Sequence, residues 1–355
     1  MQIPSTETLE IDASGREAIV LDVALPVLAA WKLSVSVVGF RPSMGVSGLS
    51  PREAVRLRTL GLASASRATG VFEGANDFRL GYRPQIGLSS TAPALGIKAD
   101  LAGHPLAPVV SDLTIACFGL PLGQTLTHRL EGFTHLRAAG AQGYGARALS
   151  ALAREFGLVL SVTTEELGFE PQGLGSVSVV AARTAPSPHR TTEWRDRGDL
   201  KAVHLLLGGV RPRQEQLARL EAELREGLWE ARRIEPTITR QVSAGIDSGA
   251  FLQVDVECER GGATFMDVVG RSAAPLSTAR RAVRRIASYW DSEATFDETT
   301  GVAALACAIA AGGHLEIALA PSEQLSLSLG VLREIGALVD EREAPGLLIL
   351  RTTPR

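Results

Sequence analysis

The sequence predicts an α/β fold of layered sheets and helices (α+β layered), with three strand-helix-strand-helix-strand-strand repeats and a small inserted α/β module. Three observations lead there. Strand-like β-branched runs and helix-like apolar stripes alternate along the whole chain instead of segregating. The same order of elements comes round three times. Composition then changes after about residue 184, where prolines and polar residues read as a crossing linker. With 355 residues, 45% of them hydrophobic, the chain can bury a sizeable core in more than one module.

The first repeat opens on a short strand, Leu9 to Ile11, followed by an apolar segment Ile19 to Ala30 and a β-branched strand Ser34 to Phe40. Ser50 is a good N-cap, Pro51 suits the first helical position and Glu53 completes a capping box, so a helix starts at Pro51. A hairpin-like tail, Gly70 to Tyr82, follows. The second repeat has strand Thr125 to Leu130 and a helix from about Tyr144 to Phe156, with Leu149, Leu152 and Phe156 on one face and Gly157 as its stop. Strands Leu158 to Thr163 and Ser176 to Ala181 close it.

The linker Thr184 to Arg197 contains Pro186 and Pro188. After it come strand Lys201 to Leu207 and the strongest helix, about Arg213 to Arg232, with Leu217, Leu220, Leu224 and Leu228 along one stripe. Strands Thr237 to Val242 and Phe251 to Val256 complete a compact module. From about Thr264 the third repeat takes helix Thr278 to Trp290, an apolar helix near Val302 to Ala311, strand His314 to Leu319, a helix ending near Leu338 and strand Leu347 to Arg351. The expected division is therefore 1–185 for repeats one and two, 198–260 for the insert and 261–355 for repeat three.

Charge narrows the function. There are 36 Lys and Arg against 39 Asp and Glu, so no global basic field draws in nucleic acid and any polyanion site is local. Cys117, Cys258 and Cys307 are far apart and read as buried thiols of a reducing compartment. The polar start and the lack of a long apolar run predict a cytoplasmic protein with no membrane contact. Six histidines, His104, His128, His135, His189, His204 and His314, never fall at metal-ligand spacing, and no metal site is expected. Walker, dinucleotide, nucleophile-elbow and zincin motifs are absent. Gly140, Gly143 and Gly145 precede a helix but fit no phosphate-loop template. The best basic feature is Arg280, Arg281, Arg284 and Arg285, two i, i+4 rows on one helix, whose geometry suits phosphates and suits a solvated helix face equally. Glycine, 36 residues in all, suggests phosphate loops by abundance alone.

Glu10-Ile11-Asp12, the apolar Val20 to Ala30, the strand to Phe40-Arg41 and then Gly48-Leu49-Ser50-Pro51-Arg52-Glu53 together resemble the opening of the RNA 3′-terminal phosphate cyclase family. Gly168-Phe169-Glu170-Pro171-Gln172-Gly173-Leu174-Gly175 is similar to a second segment of that family. Phe296-Asp297-Glu298-Thr299 is similar to its nucleophile segment. The insert also falls where the family carries its small domain. The resemblance covers nearly the whole chain and implies ATP-dependent chemistry with a divalent metal: a histidine takes AMP, passes it to an RNA 3′-phosphate, and the 2′-hydroxyl closes the ring.

Against that pattern the residues depart at five places. The histidine aligns with Thr299, whose hydroxyl cannot form a labile phosphoramidate, and the polar residues after it become Val302 and Ala303. The glycine-rich first loop becomes Ala13 to Ile19, shorter and with Gly15 alone. Met44 and Gly45 replace cations, Ala107 to Ser111 replace a glycine-rich segment, and Gln172 replaces an arginine. His314 is the one nearby histidine and reads as a packed strand residue.

The leading expectation is a cyclase-like protein without adenylation, binding RNA or a protein partner in RNA processing, with no cofactor of its own assigned. Its phosphate-binding candidates are Arg41, Arg52, Arg56, Arg58, Arg280, Arg281, Arg284 and Arg285. The alternative is an enzyme acting on RNA ends through relocated groups, with Asp297, Glu298 and Glu17 as carboxylate candidates. An enolpyruvyl-transferase-type enzyme shares the repeat but needs a cationic cleft, and only Lys32 and Lys98 precede Lys201.

Overall fold

The computed structural model describes residues 8–41, 48–63, 66–82, 98–135, 147–169, 174–185, 191–243, 249–269 and 275–353. It is an α/β layered structure in which three four-stranded sheets surround a common set of helices. Repeat one runs β1 (Leu9–Asp12), helices α1 (Glu17–Ile19) and α2 (Leu25–Ala30), β2 (Val35–Val38), α3 (Pro51–Ala63), β3 (Ser66–Thr69) and β4 (Phe78–Tyr82). Strand β1 lies parallel to β2, and β2 pairs antiparallel with β4, which pairs antiparallel with β3.

Repeat two copies that order with β5 (Lys98–Pro105), α4 (Leu106–Ala116), β6 (Thr125–Phe133), α5 (Arg147–Glu155), β7 (Leu158–Glu166) and β8 (Gly175–Arg183). Ala107 to Ser111, which stand in place of a glycine-rich segment, lie inside α4. The glycines at 140, 143 and 145, the pair Met44 and Gly45, and Gln172 fall outside the described residues, as does the expected helix start near Tyr144.

The insert comprises β10 (Leu200–Val210), α6 (Gln214–Arg232), β11 (Thr237–Ser243), β12 (Gly249–Cys258), β13 (Gly262–Val269) and α7 (Pro275–Asp291). Its sheet order is β11-β10-β12-β13. Repeat three surrounds it: β9 (Thr191–Trp194) comes before the insert, and α8 (Glu298–Ala311), β14 (His314–Leu319), α9 (Glu323–Glu334), β15 (Val339–Ala344) and β16 (Leu347–Thr352) come after. Strand β9 pairs parallel with β14, giving the same ladder pattern a third time.

Two boundaries thus differ from the sequence expectation. The polar linker holds a strand, β9, whose partner is more than a hundred residues away. The helix expected in repeat three, now α7, packs on the insert, because Ala279, Ala282, Ile286 and Tyr289 form a stripe against the residues of β10, β12 and β13.

Helices occupy the centre and the sheets turn one face outward. On β6, exposed Thr125, Thr127 and Arg129 alternate with buried Leu126, His128 and Leu130. Helix α8, with no charge after Glu298, is buried nearly all round, as an apolar helix must be. It meets α2 where the Trp31 indole N–H donates to the Ile309 carbonyl at 3.2 Å. All three cysteines are buried, and burial pushes the Cys117 and Cys307 thiols up to about 12. No helix among the described residues is long and apolar enough to cross a membrane.

Between α1 and α2 the chain makes a π-helical turn, Val20–Ala24, that ends just before Pro26. Leu25 donates to Val20, and proline has no N–H to give, so the Leu21 carbonyl loses a helical donor. Arg56 Nη2 supplies one at 3.4 Å.

Candidate functional site

The first loop leaves the carboxyl ends of β1 and β2, where parallel strands place ligands in open α/β sheets. Its amide groups are already taken. Ala13 N–H donates to the Val38 carbonyl at 2.9 Å and Arg16 N–H to the Ala13 carbonyl at 2.8 Å. Ser14 N–H donates to Asp12 Oδ1 at 3.0 Å and Gly15 N–H to Glu17 Oε1 at 3.1 Å. The same Glu17 oxygen accepts from Arg41 N–H at 3.2 Å, and Gly39 N–H donates to Asp77 Oδ1 at 3.0 Å. Carboxylates of the protein thus sit where an anion would seek N–H groups. The Ser14 hydroxyl and amide hold Asp12 below the ordinary carboxylate range.

Gly39 is required by this packing. It has φ +69°, and a Cβ there would stand 2.5 Å from Ser14 Oγ and 2.9 Å from Asp12 Oδ1. Arg16 donates to the Asp12 carbonyl and pairs with Glu334 at 2.6 Å, tying the loop to the end of α9.

The second expected stretch, Asp297 to Thr299, forms the start of α8. Asp297 is its N-cap, accepting from Thr300 N–H at 3.2 Å, from the Thr300 hydroxyl at 2.5 Å and from Thr264 N–H of the insert at 3.0 Å. Burial pushes its carboxyl up, against the pull of these donors. Thr264 also donates its hydroxyl to Asp255 at 2.9 Å, and Gln253 donates to the other Asp255 oxygen at 2.9 Å. Glu298 accepts from Ser322 Oγ, the N-cap of α9, at 2.5 Å. Thr299 is half-buried on the first turn.

Helix α9 therefore separates the two stretches: one is pinned at Glu334 and the other at Ser322, anchor points about 18 Å apart at helical rise. Among the described residues no hydrogen bond joins Glu17 to Asp297 or Glu298. The relocated carboxylates of the alternative expectation are not one cluster, and no group of three or more His, Cys, Asp or Glu among the described residues could hold a metal ion. The residues around Gly15 do not fit ATP phosphates. His314 lies at the start of β14, whereas Gly301 of α8 faces Leu319 at its end, so this histidine stands a strand length from Thr299.

The arginine candidates separate sharply. Arg56 is bound on both sides, to Asp112 by Nε at 2.6 Å and Nη2 at 2.7 Å, and to Asp22 by Nη1 at 2.6 Å. Burial works against its charge, but the Asp112 and Asp22 carboxylates outweigh that and raise it above its usual range. Burial in turn pushes Asp112 up to about 6 despite the guanidinium. Arg56 is thus a structural clamp between repeats one and two, which corrects its place among the phosphate candidates. Arg58 donates to the Val71 carbonyl at 2.8 Å. Arg281 pairs with Asp267 at 3.1 Å, and Arg285 stacks on Phe265 at 4.7 Å. Arg41, Arg52, Arg280 and Arg284 are exposed.

Sequence reading missed the roles of Glu17 and Asp77 as loop acceptors, and it missed Asp112, which stands 56 positions from Arg56. The charges were visible; their partners are set by the fold. His135, read as an ordinary histidine, is buried between Phe169 and Phe251 with ring centroids at 5.2 and 3.9 Å. No protein-family model matches the chain, and no curated protein matches it.

Proposed function

We propose that this chain is a cyclase-like RNA-binding factor that does not form an adenylate. The observation that carries the reading is the first loop: the N–H groups of Ser14 and Gly15, which a phosphate would need, point at Asp12 and Glu17. A nucleotide phosphate arriving there would meet two carboxylates, and each backbone N–H from Ala13 to Arg16 is already bonded within the protein. Three copies of one ladder pattern, with the insert between β9 and α8, support the family resemblance at the level of architecture. Thr299 in the place of a nucleophile, and Asp297 held by three donors, support the loss of group transfer. The exposed Arg280 and Arg284, one turn apart on α7, supply the phosphate contacts of the RNA-binding reading.

The test is direct. The protein is incubated with ATP labelled in the α-phosphate and magnesium, and covalent label is measured after denaturation. No adduct is expected; an acid-labile adenylate on any residue would overturn the reading and favour an active RNA-end enzyme. Affinity for a short 3′-phosphorylated RNA is then followed across salt concentration, where Arg280→Ala with Arg284→Ala should weaken binding and flatten the salt slope by about 2.

A further inference from the structure

We infer that β11, the outer strand of the insert, is an interface for a second copy of this chain, which adds its own β11 antiparallel and joins two four-stranded sheets into one. A sheet edge presents a row of unpaired N–H and C=O groups, and native proteins blunt such edges by shortness, charge, proline, bulges or cover. Among the described residues, seven of the eight edge strands obey that rule. Strands β1, β3 and β9 have four residues each. Strand β5 loses register before Pro105, β7 loses it between Thr164 and Glu166 and ends in two glutamates, and β15 carries Asp340, Glu341, Arg342 and Glu343 in succession. Strand β13 is covered: Gly262 N–H donates to the Thr295 carbonyl at 3.0 Å and Thr264 N–H to Asp297.

Strand β11 has none of these devices. Its seven residues pair with β10 in unbroken parallel register, from Thr237 opposite His204 to Ser243 opposite Val210. Thr237, Ile238, Thr239 and Val242 are β-branched, and no proline interrupts the strand. No strand among the described residues pairs with its other side. Its one charge, Arg240, is drawn onto α6 by Glu221, which accepts from Nη2 at 2.6 Å. Ile238 packs against the insert core on that same side, so Val242 turns there as well. Gln241, on the opposite face, donates to the Thr164 carbonyl of repeat two at 3.4 Å.

The flank of this edge selects a copy of the chain as the occupant. The contact of Glu221 with Arg240 places the α6 row Glu221, Arg225 and Trp229 beside β11. Trp229 and Val242 are each 51% exposed, so backbone pairing here also buries apolar surface on the helix side. Around them Arg225, Arg232, Arg233 and Arg240 are matched in number by Glu221, Glu226, Glu230 and Asp291. A balanced patch sets up no field against its own copy and gives no advantage to a polyanion or a strongly charged peptide. Two-fold pairing centred on Thr239 sets Arg240 of each copy opposite Ile238 of the other, so like charges do not meet. The inference does not rest on the RNA-binding reading, and its failure leaves that reading where it stands.

Sedimentation of the full chain tests it. A concentration-dependent dimer is expected, and Val242→Lys should weaken it by about tenfold or more with an unchanged circular dichroism spectrum, because a charge at the joined edge must lose its water. Thr239→Cys brings two thiols face to face across the axis and should form an intermolecular disulfide on mild oxidation. Arg280→Ala with Arg284→Ala should leave the dimer as it is. A chain still monomeric at about 100 µM, above the micromolar end reached by interfaces of standard size, overturns the inference. So does a dimer that Val242→Lys leaves unweakened or that Thr239→Cys does not cross-link. A monomer that takes up an extended peptide of alternating threonine and valine overturns it too, since the strand added at β11 would then come from another protein.

Discussion

Burial holds the His135 imidazole, pressed between two phenyl rings, down to about 3. The unfolded chain titrates its histidines near 6.5, so below that pH the unfolded state binds a proton the native state refuses. Stability from this residue is complete above pH 6.5 and drains as pH falls, by about 2 kcal/mol between pH 6.5 and pH 5. Urea denaturation of wild type and His135→Gln at both pH values checks this, and the variant should lose that part of the slope. His128, also lowered by burial, contributes to both forms and cancels in the comparison. None of this could be read from His135 in isolation. Its neighbours Phe169 and Phe251 come from repeat two and the insert, and a lone histidine carries no periodicity to reveal them.

At the scale of elements, local chemistry was legible and distant pairing was not. The capping box at α3 forms as the spacing predicts, with Ser50 N–H donating to Glu53 at 2.7 Å and Glu53 N–H donating to Ser50 Oγ at 3.3 Å. The leucine stripe of α6 is buried at all four positions. These signals lie within one turn or one face, where sequence spacing fixes geometry. Arg56 is the counter-example: its helix was predicted, but its clamp needs the π turn before Pro26 and Asp112 on α4. Removing the cation leaves Asp112 buried without its partner. Arg56→Gln should therefore cost about 3–5 kcal/mol in urea denaturation, whereas Arg56→Met combined with Asp112→Leu should recover most of it. A loss no larger than that of an exposed arginine, within about 0.5 kcal/mol, would show the clamp carries no load.

The whole molecule is organised by a main core, a smaller core of repeat two around Leu106, Leu113 and Leu130, a core of the insert, and a small cluster that bridges repeat two and the insert. The main core contains no residue between 195 and 295, and the insert core draws only on residues 200 to 290. The sequence showed that a module was inserted but misplaced its edges, because β9 is four residues long in a polar stretch and its partner β14 lies beyond the insert. The junction itself is compact: Thr295 Oγ1 donates to the Trp194 carbonyl at 2.6 Å, so the two ends of the insertion meet side by side. Replacing residues 197–293 with a short Gly-Ser linker should therefore leave the three-repeat body folded, with one cooperative transition by circular dichroism. Its midpoint should drop, since the Thr264 bond to Asp297 and the small apolar contact of Leu167 and Phe169 with Val210 and Phe251 are lost. The same deletion removes Phe251 from His135. The imidazole then returns toward its ordinary range, and the acid-side loss of stability should shrink toward that of His135→Gln. A truncated chain that unfolds would show that the body and the insert, though built on different cores, are not independent in stability.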